Sequence, residues 1–190
     1  MPRTTAQNNA IKERRKQTVC KAALRLFSKQ EFSKITIDDI TQAAHCSHGL
    51  FYHYFKNQED IFLAIEENLI GEENSKYRID FAQLENHGNL NSFFSSLETI
   101  LNGGENLIRY YEALARNDFD FKAVPSRYYK EEDKQSFCNF IEKAMEQKEI
   151  RGGNPKEIAS LFLLMVKNNL RKNSRKKDVY FSLDTLKRIF

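Results

Sequence analysis

His45, Cys46, His48 and His53 fall within nine residues of one another, and four ligand-type side chains so close together raise metal binding first. The spacing argues against it. His48 and His53 are five apart, so on a helix they diverge, whereas a metal-binding pair needs one face. Cys46 reads as a small buried hydrophobe rather than a ligand or redox centre. No metal and no cofactor are expected. The same stretch, "SHGLFYHYFKN", carries five consecutive rings at Phe51, Tyr52, His53, Tyr54 and Phe55. On a helix, Phe51 and Phe55 share a face, while His48 with Tyr52 and Gly49 with His53 lie on others. The two phenylalanines suit a core, which leaves Tyr52 and His53 facing outward. The chain has no Walker loop, dinucleotide fingerprint or nucleophile elbow. The chemistry on offer is recognition rather than catalysis, and no enzymatic activity is expected.

These residues need short, tightly connected helices to hold them. Thr36 followed by Asp39 reads as an N-cap close to a capping box, opening a helix over 36–44 with Ile37, Ile40 and Ala44 on one side. Ser47 caps a second short helix, 47–54. Asn57, with Asp60 three residues on, caps a third that continues to about residue 84. Ahead of them, Val19, Ala22, Ala23, Leu26 and Phe27 form one apolar stripe on a helix over 9–31. Two short helices joined by the three-residue turn Ala44-His45-Cys46 make a helix-turn-helix arrangement. The second helix of such a unit enters the DNA major groove. Further helices are expected at 90–102, 105–117, 125–149, 155–173 and 182–190. The fold class is therefore all-α, with a boundary at residue 58–60. Residues 1–58 form an arm and helix-turn-helix unit, and 59–190 form a larger helical domain.

Charge agrees with a nucleic-acid partner. Residues 1–60 hold ten Lys/Arg against six Asp/Glu, and the remainder hold twenty against twenty, so the whole excess of +4 lies in the first third. Mean hydropathy is −0.64, and no apolar run is long enough for a membrane span. The three cysteines are odd in number and far apart, which fits a reducing compartment. A cytoplasmic protein with no membrane partner is expected.

Residues 22–62 resemble the tetracycline-repressor (TetR) family of bacterial transcription regulators. The shared pattern is Ala-Ala-x-x-x-Phe, Thr-x-x-x-Ile, Ala-Ala-x-x-Ser, Ser-x-Gly-x-x-Tyr-x-x-Phe, and Lys-Asn before an acidic helix. Four positions depart from it: Glu31 and His45 stand where glycine is usual, Gln58 where lysine is common, and Leu50 where Thr or Ser is frequent. The resemblance implies that Thr36, Ser47, Tyr52 and Lys56 hold phosphates. It places His48, Gly49, Leu50 and His53 against base edges, with basic residues of the N-terminal arm from Arg3 to Lys16 adding to the grip.

The same resemblance implies a homodimeric repressor on a palindromic operator of double-stranded DNA, released by a small-molecule effector. Aromatic and aliphatic residues at helical spacing supply candidate pocket positions: Phe93, Phe94, Leu97, Tyr110, Tyr111, Leu114, Phe137, Phe140, Ile141, Phe162 and Met165. The apolar surplus in "IASLFLLMVKNNL" and "YFSLDTLKRIF" suits a dimer interface. The competing readings are a helical small-molecule-binding enzyme and an interaction protein. Only the regulator predicts salt-dependent, sequence-selective duplex binding.

Overall fold

The computed structural model describes residues 4–117, 123–150, 153–159 and 161; the C-terminal part of the expected dimer surface, with Phe162 and Met165, lies outside them, as does Arg3. Among the described residues α-helices run over α1 Thr5–Phe27, α2 Ile37–Ala43, α3 His48–Tyr54, α4 Gln58–Ile70, α5 Phe81–His87, α6 Leu90–Asn102, α7 Glu105–Arg116 and α8 Glu131–Glu146, and residues 155–159 are also helical. Among the described residues there is no strand. None of these helices is long and apolar enough to cross a membrane.

The caps set the short helices. The Thr36 hydroxyl accepts the Asp39 N–H, and the Asp39 carboxylate accepts the Thr36 N–H at 2.8 Å, a reciprocal box that fixes the start of α2. Asp39 is held below the usual carboxylate range by the Thr36 hydroxyl and then by its backbone N–H. Ser47 caps α3 through the Leu50 N–H, and Asn57 caps α4 through the Asp60 N–H. Between α2 and α3 the chain reverses at His45, whose φ is 51°. Glycine is the residue that adopts this left-handed backbone without cost, and histidine is one of the side chains that tolerate it. Glu31, at φ −61°, is extended, so its position places no demand on glycine here.

Three expected boundaries are corrected. Helix α1 starts four residues earlier than expected because Thr4 and Gln7 form their own capping box, and it ends at Phe27 rather than residue 31. The helix expected over 57–84 is broken. It stops at Ile70, continues as a 3₁₀ turn over Glu72–Tyr77, and restarts only after the Asp80 cap. Gly71 marks the break. A Cβ there would come within 2.3 Å of the Glu67 carbonyl, so a side chain could not follow the chain out of the helix. The helix expected from 125 begins at Glu131, because residues 126–129 are used in a polar cluster described below.

Helix α1 packs against α2, α4 and α7, while α5 packs against α8 and α6 against α7. Leu24 of α1 is buried along with Val19, Ala22, Ala23 and Phe27, which makes the buried face wider than the single stripe read from spacing. The widening has a cause: α1 is covered on one side by the helix-turn-helix unit and on the other by α7. Phe27, Phe32 and Phe62 meet at ring separations of 5.3–5.6 Å where these elements join. A second aromatic cluster, Phe81, Phe93, Phe137 and Phe140, joins α5, α6 and α8.

Candidate nucleic-acid interface

Helix α3 is only seven residues long and cannot be stable alone, so its outward face exists because its inward face is anchored. Phe51 and Phe55 are the anchors, 0% and 2% exposed with rings 5.8 Å apart. Tyr52, beside them in sequence, is 57% exposed and stands edge-on to Phe51. The helix thus leaves one large ring in water beside a buried one. His48, Gly49, His53 and Lys56 are exposed with it, and Leu50 is half-buried. A Cβ added at Gly49 would meet nothing nearer than the Ser47 Oγ at 3.9 Å. The fold does not require a glycine there, which leaves room for close approach by another molecule.

Two of the expected phosphate-holding side chains also have structural duties. The Thr36 and Ser47 hydroxyls each accept a backbone N–H as caps and remain exposed, but Thr36 donates its one proton to the Asp39 carboxylate at 2.7 Å, whereas the Ser47 hydroxyl can still donate to a phosphate. Gln58 turns inward, donating from Nε2 to the Phe32 carbonyl at 2.5 Å. Lys16 lies with its ammonium 5.9 Å from the Phe55 ring centre, tying α1 to the end of α3. The cysteines are not activated. Burial pushes the Cys20 thiol up to about 11, and burial also raises Cys46 and Cys138.

The candidate pocket residues that fall within the described part, Phe93, Phe94, Leu97, Tyr110, Tyr111, Leu114, Phe137, Phe140 and Ile141, are all buried and pack as core. A cleft of about 290 Å³ opens instead between α1 and α4. Its lining includes Lys16, Gln17, Cys20, Ile65, Asn68 and Asn106.

Residue patterns alone did not single out two long-range connections. One is Glu66 of α4, fully buried and 0% exposed. Its carboxylate accepts the Tyr110 hydroxyl at 2.7 Å, the Arg127 N–H at 2.7 Å and the Ser126 hydroxyl. Beside it the Ile79 N–H donates to the Tyr129 hydroxyl, which lies 2.7 Å from that of Tyr111, and Tyr111 donates to the Tyr77 carbonyl. Each hydroxyl has one proton, so Tyr129 must donate to Tyr111. This relay satisfies the backbone exposed by the break after α4. The signal was present: Phe62, Glu66 and Ile70 are four apart, which puts a carboxylate in the middle of an apolar stripe. The other connection is the end of α7. Arg116 Nε donates to the Ser28 carbonyl at 2.9 Å, and the Asn117 Oδ1 accepts the Phe32 N–H at 3.1 Å. No sequence signal marks this pair, because the partners are more than eighty residues apart.

Comparison with known proteins agrees with this geometry. Residues 19–65 match the model of the bacterial regulatory proteins of the tetR family. The chain is 30% identical over 76 residues to the HTH-type transcriptional repressor NicS of Pseudomonas putida, a match covering 38% of this chain and 36% of that protein. It is 36% identical over 69 residues to the HTH-type transcriptional regulator AcrR of Shigella flexneri, covering 35% and 32%. The matched stretches thus span about a third of these relatives. The fold likeness extends further. A crystal structure of a gamma-butyrolactone receptor (ArpA-like protein) superposes with a TM-score of 0.53 at 19% identity, covering 86% of this chain and 85% of that one. Residues 19–65 are thus similar to the N-terminal part of tetR-family regulators, and the chain shares its fold with the gamma-butyrolactone receptor structure.

Proposed function

We propose that this chain is a transcriptional repressor that binds a palindromic DNA operator as a homodimer through residues 36–57, and that a small molecule releases it. The observation that carries the DNA reading is the division of one short helix: Phe51 and Phe55 buried, Tyr52, His53 and His48 exposed. Lys56 and the Ser47 cap of α3 flank that face with groups able to donate to phosphates. The test is binding to operators selected from random duplexes, read across a salt series. Lys56→Ala weakens all sequences alike and flattens the salt slope by about one unit. His53→Ala relaxes preference at one base pair, at a cost of about 1–3 kcal/mol. Two chains bind per selected operator. If neither substitution alters affinity or preference, α3 is not the reading helix.

The division of labour places DNA binding in 1–58 and effector binding and dimerisation in 59–190. The apolar surplus of "IASLFLLMVKNNL" and "YFSLDTLKRIF" supports the placing of dimerisation there. The effector reading is supported by the two connections through Glu66 and through Arg116 with Asn117. The first ties α4, which follows α3 in the chain, to α7 and residues 126–127, and the second ties the end of α7 to the Ser28–Phe32 segment after α1. A ligand that binds better to a state in which either connection is displaced would change the separation of the two recognition helices in a dimer. That separation must match about 34–36 Å on DNA. Apolar or partly aromatic compounds that raise the melting temperature are expected to lower operator affinity about 5–150-fold. A thermal-shift screen followed by operator titration with each hit checks this. Hits that stabilise the protein and leave operator affinity unchanged overturn the switch.

A further inference from the structure

His48 is the first residue of α3, and Asp38 lies in the first turn of α2. The His48 Nε2 stands 2.7 Å from the Asp38 Oδ1, and both side chains are more than half exposed. An exposed pair of this kind adds little to stability. Asp38 is also not needed to start α2, because Thr36 and Asp39 already make the reciprocal cap. An acidic side chain on a face built for phosphates carries an electrostatic cost there. What the carboxylate does in this position is hold one nitrogen of the imidazole.

A carboxylate only accepts hydrogen bonds, so the proton shared with Asp38 must sit on Nε2. In the neutral ring this leaves Nδ1 unprotonated and acceptor-only. In the major groove, the groups that donate to such an acceptor are the adenine N6 and cytosine N4 amino groups. Guanine and thymine offer only acceptors there. Without Asp38 the ring can turn and either nitrogen can carry the proton, so the discrimination disappears.

We infer that Asp38 is a positioning residue that sets base specificity: by holding the His48 Nε2–H it presents Nδ1 as a fixed acceptor to an amino group at one base position beneath the start of α3. The inference rests on the DNA-binding reading given above. It assigns a role to a side chain that would not itself touch DNA.

The test compares the full-length wild type with Asp38→Ala, Asp38→Asn and His48→Ala at pH 8. Each is selected on random duplexes and then titrated on the selected operator and its single-pair variants. The wild type prefers adenine or cytosine over guanine or thymine at one position by about fivefold or more. His48→Ala and Asp38→Ala both flatten that position and leave the other positions unchanged. Asp38→Asn falls between wild type and Asp38→Ala, because its amide can accept from the ring through Oδ1 or donate to it through Nδ2. On duplexes lacking the selected operator both Asp38 variants bind more tightly than wild type by a similar factor, since each removes one negative charge near the phosphates. An Asp38→Ala protein with wild-type preference overturns the inference. A wild-type protein that selects no sequence at all counts against the DNA-binding reading itself, not against the role of Asp38 within it.

Discussion

Replacing Glu66 with alanine is expected to destabilise the protein by about 3–5 kcal/mol, more than any substitution on its exposed faces. The carboxylate is fully buried, and three donors converge on it: the Tyr110 hydroxyl, the Ser126 hydroxyl and the Arg127 N–H. Burial, and after it the neighbouring Glu66, pushes the Tyr110 hydroxyl well above its ordinary range, so it stays protonated and serves as a donor. Truncation leaves these groups without a partner in a place water reaches poorly. The Ser126 hydroxyl also accepts the Tyr128 and Tyr129 N–H groups, so the 126–129 segment would loosen with it. Glu66→Gln should be milder, costing about 1–3 kcal/mol. Its Oε1 can accept two of the donors, but its amino group then faces the Arg127 N–H, a donor against a donor. Equilibrium unfolding in urea checks both variants. A Glu66→Ala protein within about 1 kcal/mol of wild type would mean the network carries little of the stability assigned to it.

Phe51→Ala is expected to cost about 3–5 kcal/mol and to abolish operator binding. The ring is completely buried and touches Phe55 and Tyr52, and it is the only fully buried side chain of α3. A seven-residue helix has too few internal hydrogen bonds to persist without that anchor, so the reading face is lost with it. The adjacent Tyr52→Ala gives the contrast. Its ring is mostly in water, so stability should change by no more than about 0.5 kcal/mol while operator affinity falls. Thermal unfolding and operator titration on the same pair of variants separate the two roles. If Phe51→Ala lost stability but kept operator affinity at a temperature where it is folded, α3 would not be the DNA-reading element.

Between these two sites lies the difference between local and long-range information. The helix-turn-helix was legible because its determinants are local. Thr36 with Asp39, Ser47 with Leu50 and Asn57 with Asp60 each act across three residues. A side chain that close to a backbone N–H finds it whatever the rest of the chain does. The split of Phe51 and Phe55 from Tyr52 and His53 followed from helical geometry alone. The break after Ile70 was not legible. Glu, Asn and Lys in "GEENSKY" are compatible with helix, and the turn is held by tyrosine hydroxyls supplied from residues 111 and 129.

The sequence by itself determined the starts of α2, α3 and α4, and which faces of α3 are buried and exposed. All of these depend on side chains within about one helical turn of one another. Only the tertiary structure decided that Glu66 is an internal hub, that the end of α7 grips the Ser28–Phe32 segment, and that Asp38 holds His48. Those contacts join separate elements. Hydrogen bonds between them form only after the helices have packed, when burial makes an unpartnered polar group costly enough to fix its partner.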